Sequence, residues 1–359
     1  VSGGLGPSRY DLERDELAER LAGEPRFRVE QVWEGLHRRL AEPGELTELP
    51  KALRARLEEE LPAGLRQAAE AVSDRGDTVK WLWELRDGAR IETVLMRYPD
   101  RATVCVSTQA GCAMACGFCA TGQAGFERHL SVGEIVEQVV RACRAAAAEG
   151  RRVSNVVFMG MGEPLANYDA TWAALRRLNG PLGISARKLT VSTVGVAPGI
   201  RRMAGEELPV NLAVSLHAAN DSLRDRLVPL NRRYPLAELR VACADYLAAK
   251  GRRLSFEWAL IDGVNDREAD AVELAGIARP LRAHVNLIPL NRTPGYPALG
   301  SPPEQAARFQ RQLEALGVNV TLRRTRGADI DAACGQLRAE HEVRVGPPRR
   351  GRRLSARAR

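Results

Sequence analysis

Three cysteines in Cys112-Ala-Met-Ala-Cys116-Gly-Phe-Cys119 constrain this chain more than any other feature. Their spacing is C-x3-C-x2-C, with an aromatic residue just before the last thiol. Thiols so spaced reach one small object only if the backbone curls into a loop, and Gly111 and Gly117 permit such a curl. Thiolates ligate zinc and iron–sulfur clusters. A structural zinc site wants four ligands, and no fourth Cys or His with suitable spacing lies nearby. Three thiolates on a four-iron cluster leave one iron open for chemistry. The plainer alternative is three buried or redox-active cysteines in a loop.

A chain of 359 residues holds one large domain and a small one. Apolar residues make up 45% of it, enough for a sizeable core, yet no apolar run reaches the roughly 20 residues that span a bilayer. The opening Val-Ser-Gly-Gly-Leu-Gly lacks the basic-then-apolar pattern of a signal peptide. The expectation is a cytoplasmic protein with no membrane partner, a setting that suits free thiols and a reduced cluster. Seven cysteines, an odd number, argue against a disulfide scaffold. A net charge of +8 points to a polyanionic partner, most simply nucleic acid, although a mildly basic protein with no such partner has the same balance. Part of the excess lies in the seven arginines between Arg344 and Arg359, around Gly346-Pro347-Pro348. Residues 339–359 therefore read as an Arg-rich, disordered tail that assists RNA binding at most.

Residues 1–75 are polar and helical in pattern. Leu12, Leu17 and Leu21, then Val29, Val32, Trp33 and Leu36, then Leu46, Leu49, Leu53 and Leu57 mark short amphipathic helices. This predicts a small helical accessory domain. Residues 76–97 change period: two alternating runs flank Asp87-Gly88, a hairpin signal. From 98 to 338 strand-like and helix-like segments alternate. Strands are expected at 102–107, 153–159, 188–192, 210–216, 254–261, 284–288 and near 318–322. Helices are expected at 132–148, 171–178, 235–250, 268–278 and 303–316. Such alternation argues for an α/β fold with a parallel sheet, and six or so units predict a partial (βα)6 TIM-like barrel.

Sites in such barrels form at the C-terminal ends of the strands. The cysteine loop follows the first strand, and Gly160-Met-Gly162-Glu163-Pro-Leu165 follows the second. Ser192-Thr-Val-Gly195 follows the third, Ser215-Leu216-His217 closes the fourth, and Asn291 follows the sixth. Glu163 in its Gly-rich turn can accept from a ligand ammonium; alone it also reads as a surface turn acid. Ser192, Ser215 and His217 are individually weak signals. Cys334 follows a strand and opens a turn near Asp331, a setting for an exposed thiol of lowered pKa. Cys105 alternates with Val104 and Val106 and points with Ser107 into the barrel. Either cysteine alone reads as a small core residue, as Cys143 and Cys243 do on apolar helix stripes.

The cysteine spacing, aromatic included, resembles the signature of the radical S-adenosylmethionine (SAM) superfamily. Five longer stretches narrow the likeness: Cys105-Val-Ser-Thr-Gln-Ala-Gly-Cys112, Phe118-Cys119-Ala-Thr-Gly-Gln-Ala-Gly, Phe158-Met-Gly-Met-Gly-Glu-Pro-Leu-Ala-Asn167, Ser215-Leu-His-Ala218 and Asp329-Ile-Asp-Ala-Ala-Cys-Gly-Gln-Leu337. Together they resemble the dual-specificity ribosomal and transfer RNA adenine-C2 methyltransferases, from about Gln31 to Leu337. Ala328 departs from that pattern, where the family often has an acidic residue.

The resemblance implies a [4Fe-4S] cluster on Cys112, Cys116 and Cys119. It implies SAM contacts from Gly162, Glu163, Ser192, Ser215, Leu216, His217 and Asn291. It makes Cys334 the methyl carrier, Cys105 the thiol that resolves a covalent RNA adduct, and Glu92 the base that removes the C2 proton. Glu92 on its own reads as a solvated strand residue. Two SAM per turnover, 23S rRNA and tRNA substrates, an RNA-contacting N-terminal domain and an electron donor such as flavodoxin or ferredoxin are implied with it. The chain is expected to act as a monomer. The alternatives are a C8-adenine rRNA methyltransferase of the antibiotic-resistance type, a radical SAM enzyme with a non-RNA substrate, and a non-enzymatic RNA-binding protein with a structural metal.

Overall fold

The computed structural model describes residues 6–323 and 326–339. Almost all of the expected Arg-rich tail, from residue 340 on, lies outside the described residues. The leucine spacing near the N-terminus gives α1 (Arg14–Arg20), α2 (Phe27–His37) and α3 (Lys51–Glu60). These helices bury Leu17, Val32, Leu36, Leu53 and Leu57.

The helical pattern does not extend to residue 75. Leu65–Ser73 is a strand, β1, antiparallel to β2 (Thr78–Leu85), which pairs in turn with β3 (Arg90–Arg97). Its Ala, Glu and Gln content favours helix, but propensities of under about 1 kcal/mol per residue yield to an open strand edge that offers ladder bonds. Gly88 turns the expected hairpin at φ +89.

β4 (Ala102–Cys105) pairs antiparallel with β3 on one side and parallel with the barrel on the other. A small ribbon, β5 (Gln109–Gly111) and β6 (Phe126–His129), brackets the cysteine loop and the short α4 (Ala120–Ala124). Then come α5 (Val132–Ala147), β7 (Val153–Phe158), α6 (Tyr168–Asn179), β8 (Leu189–Thr193), α7 (Ala197–Gly205), β9 (Asn211–Ser215) and α8 (Asp221–Leu227). The chain continues through α9 (Leu236–Lys250), β10 (Leu254–Leu260), α10 (Glu268–Ala278), β11 (His284–Pro289), α11 (Pro303–Ala315) and β12 (Val320–Leu322). Local signals set several boundaries. Ser131 and Glu134 form a reciprocal capping box at the start of α5, and Gly251 ends α9 in the left-handed region.

Ten strands form one sheet in the order β1-β2-β3-β4-β7-β8-β9-β10-β11-β12. From β4 onward all neighbours are parallel. This is the expected partial barrel, open between β12 and the antiparallel edge. After β12 the chain is tied to that other edge. Arg326 donates to the Arg97 carbonyl at 2.9 Å, and Ser73 hydrogen-bonds Asp329. Lys80 donates to the Asp331 carbonyl at 3.2 Å, and the Arg338 amide to Glu92 at 3.0 Å. Residues 326–338 thus form a strap from one sheet edge to the other.

The N-terminal helices lie on α5 and α6. Buried Arg177 of α6 donates to the Tyr10 and Leu12 carbonyls at 3.2 and 3.0 Å, and Asp11 accepts from the Gly133 amide at 2.7 Å. One apolar cluster runs from Tyr10 to Leu337. No helix among the described residues is long and apolar enough to cross a membrane.

Candidate active site

The loops at the C-terminal ends of the strands converge on one cleft. Cys112, Cys116 and Cys119 line it, as do Gly162, Glu163, Ser192, Ser215, His217, Asn291 and Cys334. The backbone curl differs from expectation. Gly111 is left-handed at φ +73, but Ala115 rather than Gly117 supplies the second turn, at φ +52. The Cys112 amide donates to the Gly125 carbonyl at 2.6 Å, and a Cβ on Gly111 would sit 2.1 Å from that oxygen. Phe118 packs edge-on against His217, with ring centroids 4.8 Å apart.

Burial raises the thiol pKa of Cys112 to about 12 and that of Cys116 well above its usual value, and each is raised further by neighbouring thiols of the same loop. Such thiols release protons when they bind metal. Arg224, fully buried, sits near Cys116 and donates to the carbonyls of Val194 (2.6 Å), Leu216 (3.0 Å) and Ser215 (3.3 Å). A buried guanidinium beside thiolates suits an anionic cluster. Among the described residues, no group of three or more His, Cys, Asp or Glu is arranged to hold a single metal ion. Three thiols around a cleft fit a multi-atom cluster better than a mononuclear zinc.

Glu163 is buried at the end of the Gly-rich turn. Its carboxylate accepts from the Val194 amide at 2.8 Å and the Leu165 amide at 3.0 Å, and its own amide donates to Gln109 at 2.8 Å. Burial raises its pKa to about 7 against those hydrogen bonds. Gly162 has φ +99, and a Cβ there would come within 2.5 Å of Gln109. Only glycine lets this turn lie so close. His217, at φ +59, is held neutral: burial lowers its pKa to about 3. Its Nδ1 accepts from the Ala259 amide at 2.9 Å, so the ring proton is on Nε2.

Leu216 is not in the cleft. Its side chain is core, its amide donates to the Glu257 carbonyl and its carbonyl accepts from Arg224. Cys105 is buried on β4, where burial and then the Cys334 thiol raise its pKa. Cys334 keeps exposed surface, yet the protein around it raises its pKa rather than lowering it as the turn setting suggested. Burial comes first, Arg323 opposes it, and Glu257 and Cys119 add to it. Asn291 donates to the Cys334 carbonyl at 3.0 Å. Glu92 is not solvated: it is 2% exposed, ion-paired with Lys80 at 2.8 Å and bonded to the strap at Arg338.

Sequence reasoning passed over Arg224, Arg323 and Glu257. Glu257 left a signal: in Leu254-Ser-Phe-Glu-Trp-Ala-Leu260 it alternates with the largest apolar residues on the same side as Ser255 and Ala259. All seven positions are buried, so that carboxylate faces the interior of the barrel.

A radical SAM superfamily profile matches residues 106–275. The chain is 52% identical to a probable dual-specificity RNA methyltransferase RlmN of Frankia alni, over 98% of this chain and 86% of that protein. It is 51% identical to the protein of the same name in Chloroflexus aurantiacus, over 93% of each. The crystal structure of a radical SAM methyltransferase from Sphaerobacter thermophilus superposes with a TM-score of 0.90 at 52% identity, covering 93% of this chain and 99% of that one.

Proposed function

Because the chain belongs to the RlmN family of radical SAM RNA methyltransferases, we propose that it methylates C2 of one adenosine in the peptidyl-transferase region of 23S rRNA and of the adenosine beside the anticodon in tRNAs. The observation that carries this reading is the meeting of Cys334 and Cys105. Cys334 lines the same cleft as the cysteine loop, and its thiol is near enough to Cys105 to raise the Cys105 pKa. Transfer to an unactivated small molecule would need no such second pair of thiols.

Cys112, Cys116 and Cys119 would hold a [4Fe-4S] cluster. Gly162, Glu163, Ser192, Ser215, His217 and Asn291 would hold SAM, with Leu216 only spacing Ser215 from His217. When bound, these groups supply a methyl group and, with an electron from a donor such as flavodoxin or ferredoxin, a 5′-deoxyadenosyl radical, at two SAM per turnover. C2 of adenine is electron-poor and no nucleophile, so Cys334 first takes the methyl group on its sulfur by displacement. The S-methyl carbon, after losing a hydrogen atom, bonds to C2 and joins the RNA to the protein. Glu92 takes the C2 proton. Cys105, as its thiolate, then attacks the sulfur of Cys334; the carbon–sulfur bond breaks with its electron pair toward the RNA carbon, which takes a proton to become the methyl group. The one unpaired electron left from the radical addition returns to the external one-electron carrier, and a disulfide forms that an external thiol must reduce. The helices of residues 1–75 would contact RNA, residues 76–97 would extend the core, and residues 98–338 would carry the chemistry in a cytoplasmic monomer.

Mass spectrometry of nucleosides from 23S rRNA and tRNA, with and without the gene, tests this. Loss of 2-methyladenosine from both is expected. Loss of 8-methyladenosine would assign the C8 reaction instead, and no change in either would remove the substrate assignment.

A further inference from the structure

Glu257 lies mid-strand on β10 with 4% exposure. One carboxylate oxygen is engaged: Oε1 accepts from Asn286 at 2.7 Å and from Ser255 at 3.0 Å. The other, Oε2, is buried and accepts no hydrogen bond among the described residues. Arg323 approaches it at 3.9 Å, outside hydrogen-bond range. Glu257 and Cys334 line the same cleft, and Arg323 and Glu257 act with opposite sign on the Cys334 thiol. A buried acceptor without a donor is costly to leave unpaired. Shielded from bulk water, Oε2 awaits a donor that enters the cleft with a ligand.

We propose that Glu257 and Arg323 read the amino and ring-nitrogen edge of the adenine to be methylated. Glu257 Oε2 accepts from the exocyclic N6 amine, Arg323 donates to N1, and C2, the ring atom next to N1, is left toward Cys334. This inference rests on the C2-methyltransferase reading. Adenine presents a donor and then an acceptor along this edge; guanine presents the reverse, O6 against the carboxylate and N1–H against the guanidinium. The pair therefore selects adenine by repulsion as well as attraction. Donation to N1 also draws electron density from C2, which favours addition of a carbon radical that carries an electron-donating sulfur. The pair is neutral overall, so an uncharged base meets no uncompensated charge.

SAM carries an adenine with the same edge, and the test separates the two sources. Cluster-loaded enzyme is given an RNA hairpin with adenosine, purine riboside (no N6 amine) or 1-deazaadenosine (no N1) at the target position. Deleting the amine is expected to cost the native enzyme roughly ten- to a hundredfold in kcat/KM. Glu257→Gln should cost a similar factor on adenosine and then show no further loss on purine riboside, the non-additivity of a direct contact. Arg323→Gln should likewise lose its discrimination against 1-deazaadenosine, and it gives an independent arm should Glu257→Gln fail to fold. Equal discrimination by native and variant enzymes overturns the inference. So does a Glu257→Gln protein whose SAM affinity, measured by equilibrium dialysis without RNA, falls while the amine effect persists; the pair would then read the cofactor's adenine. If the native enzyme forms no 2-methyladenosine on the adenosine hairpin, the C2 reading itself fails and takes this inference with it.

Discussion

At the scale of the residue, Glu163 shows how burial sets chemistry. Its folded pKa of about 7 lies above the ordinary 4.5, so the folded protein holds that proton more tightly than the unfolded chain. The resulting stability is present below pH 4.5 and is lost as pH rises through about 7, roughly 3 kcal/mol at most. Glu163→Gln removes this titration. The melting temperature of the unliganded variant should fall less between pH 5 and 8 than that of the native protein, and parallel curves would refute the assignment. Cys334→Ala should keep normal iron content and abolish RNA methylation; retained turnover would end the methyl-carrier role. Cys105→Ala should leave protein covalently trapped on RNA, visible as a slower band on a denaturing gel. Free RNA and no such band would count against the resolving role. The cleft-lining residues at strand ends were legible because Gly-rich turns and cysteine spacing announce themselves. Arg224 and Arg323 were not, because a charged residue in a short helix or at a strand end looks solvated until its neighbours are known, and Glu257 left only the trace of its large apolar neighbours along the strand.

At the scale of the element, the hydrophobic period located every strand of the parallel sheet and its longer crossover helices. It failed at β1, whose Ala-rich sequence becomes a strand only because β2 leaves an edge to pair with. It also failed at Glu92, whose place on β3 looked exposed but lies beneath the strap. Lys80 makes that burial tolerable, since it pairs with Glu92 at 2.8 Å and reaches the strap at Asp331. Lys80→Met keeps the apolar stem and removes the charge. Breaking a buried pair from one side should cost about 3 kcal/mol. The melting temperature of the variant should therefore fall by several degrees. An unchanged melting temperature would mean that the pair adds nothing beyond the packing of the Lys80 stem.

At the scale of the molecule, the accessory helices and the barrel share one apolar core, so neither the sequence's change of period at residue 76 nor the expected division there marks a break in packing. The open side of the barrel was not legible, because closure depends on hydrogen bonds between residues more than two hundred positions apart. That closure places the proposed methyl-carrying thiol on a strap held by scattered hydrogen bonds and the buried Leu337, while the sheet beneath it is held by continuous ladders. Opening the strap should therefore take far less free energy than unfolding the core. In hydrogen–deuterium exchange, backbone amides of residues 326–338 should exchange well before those of β10, in a cooperative unit of their own. Matched protection of strap and core would show that the thiol is as fixed as the sheet. Separate protection would mean that the proposed methyl-carrying thiol can change its position by the release of one short segment, with the rest of the fold intact.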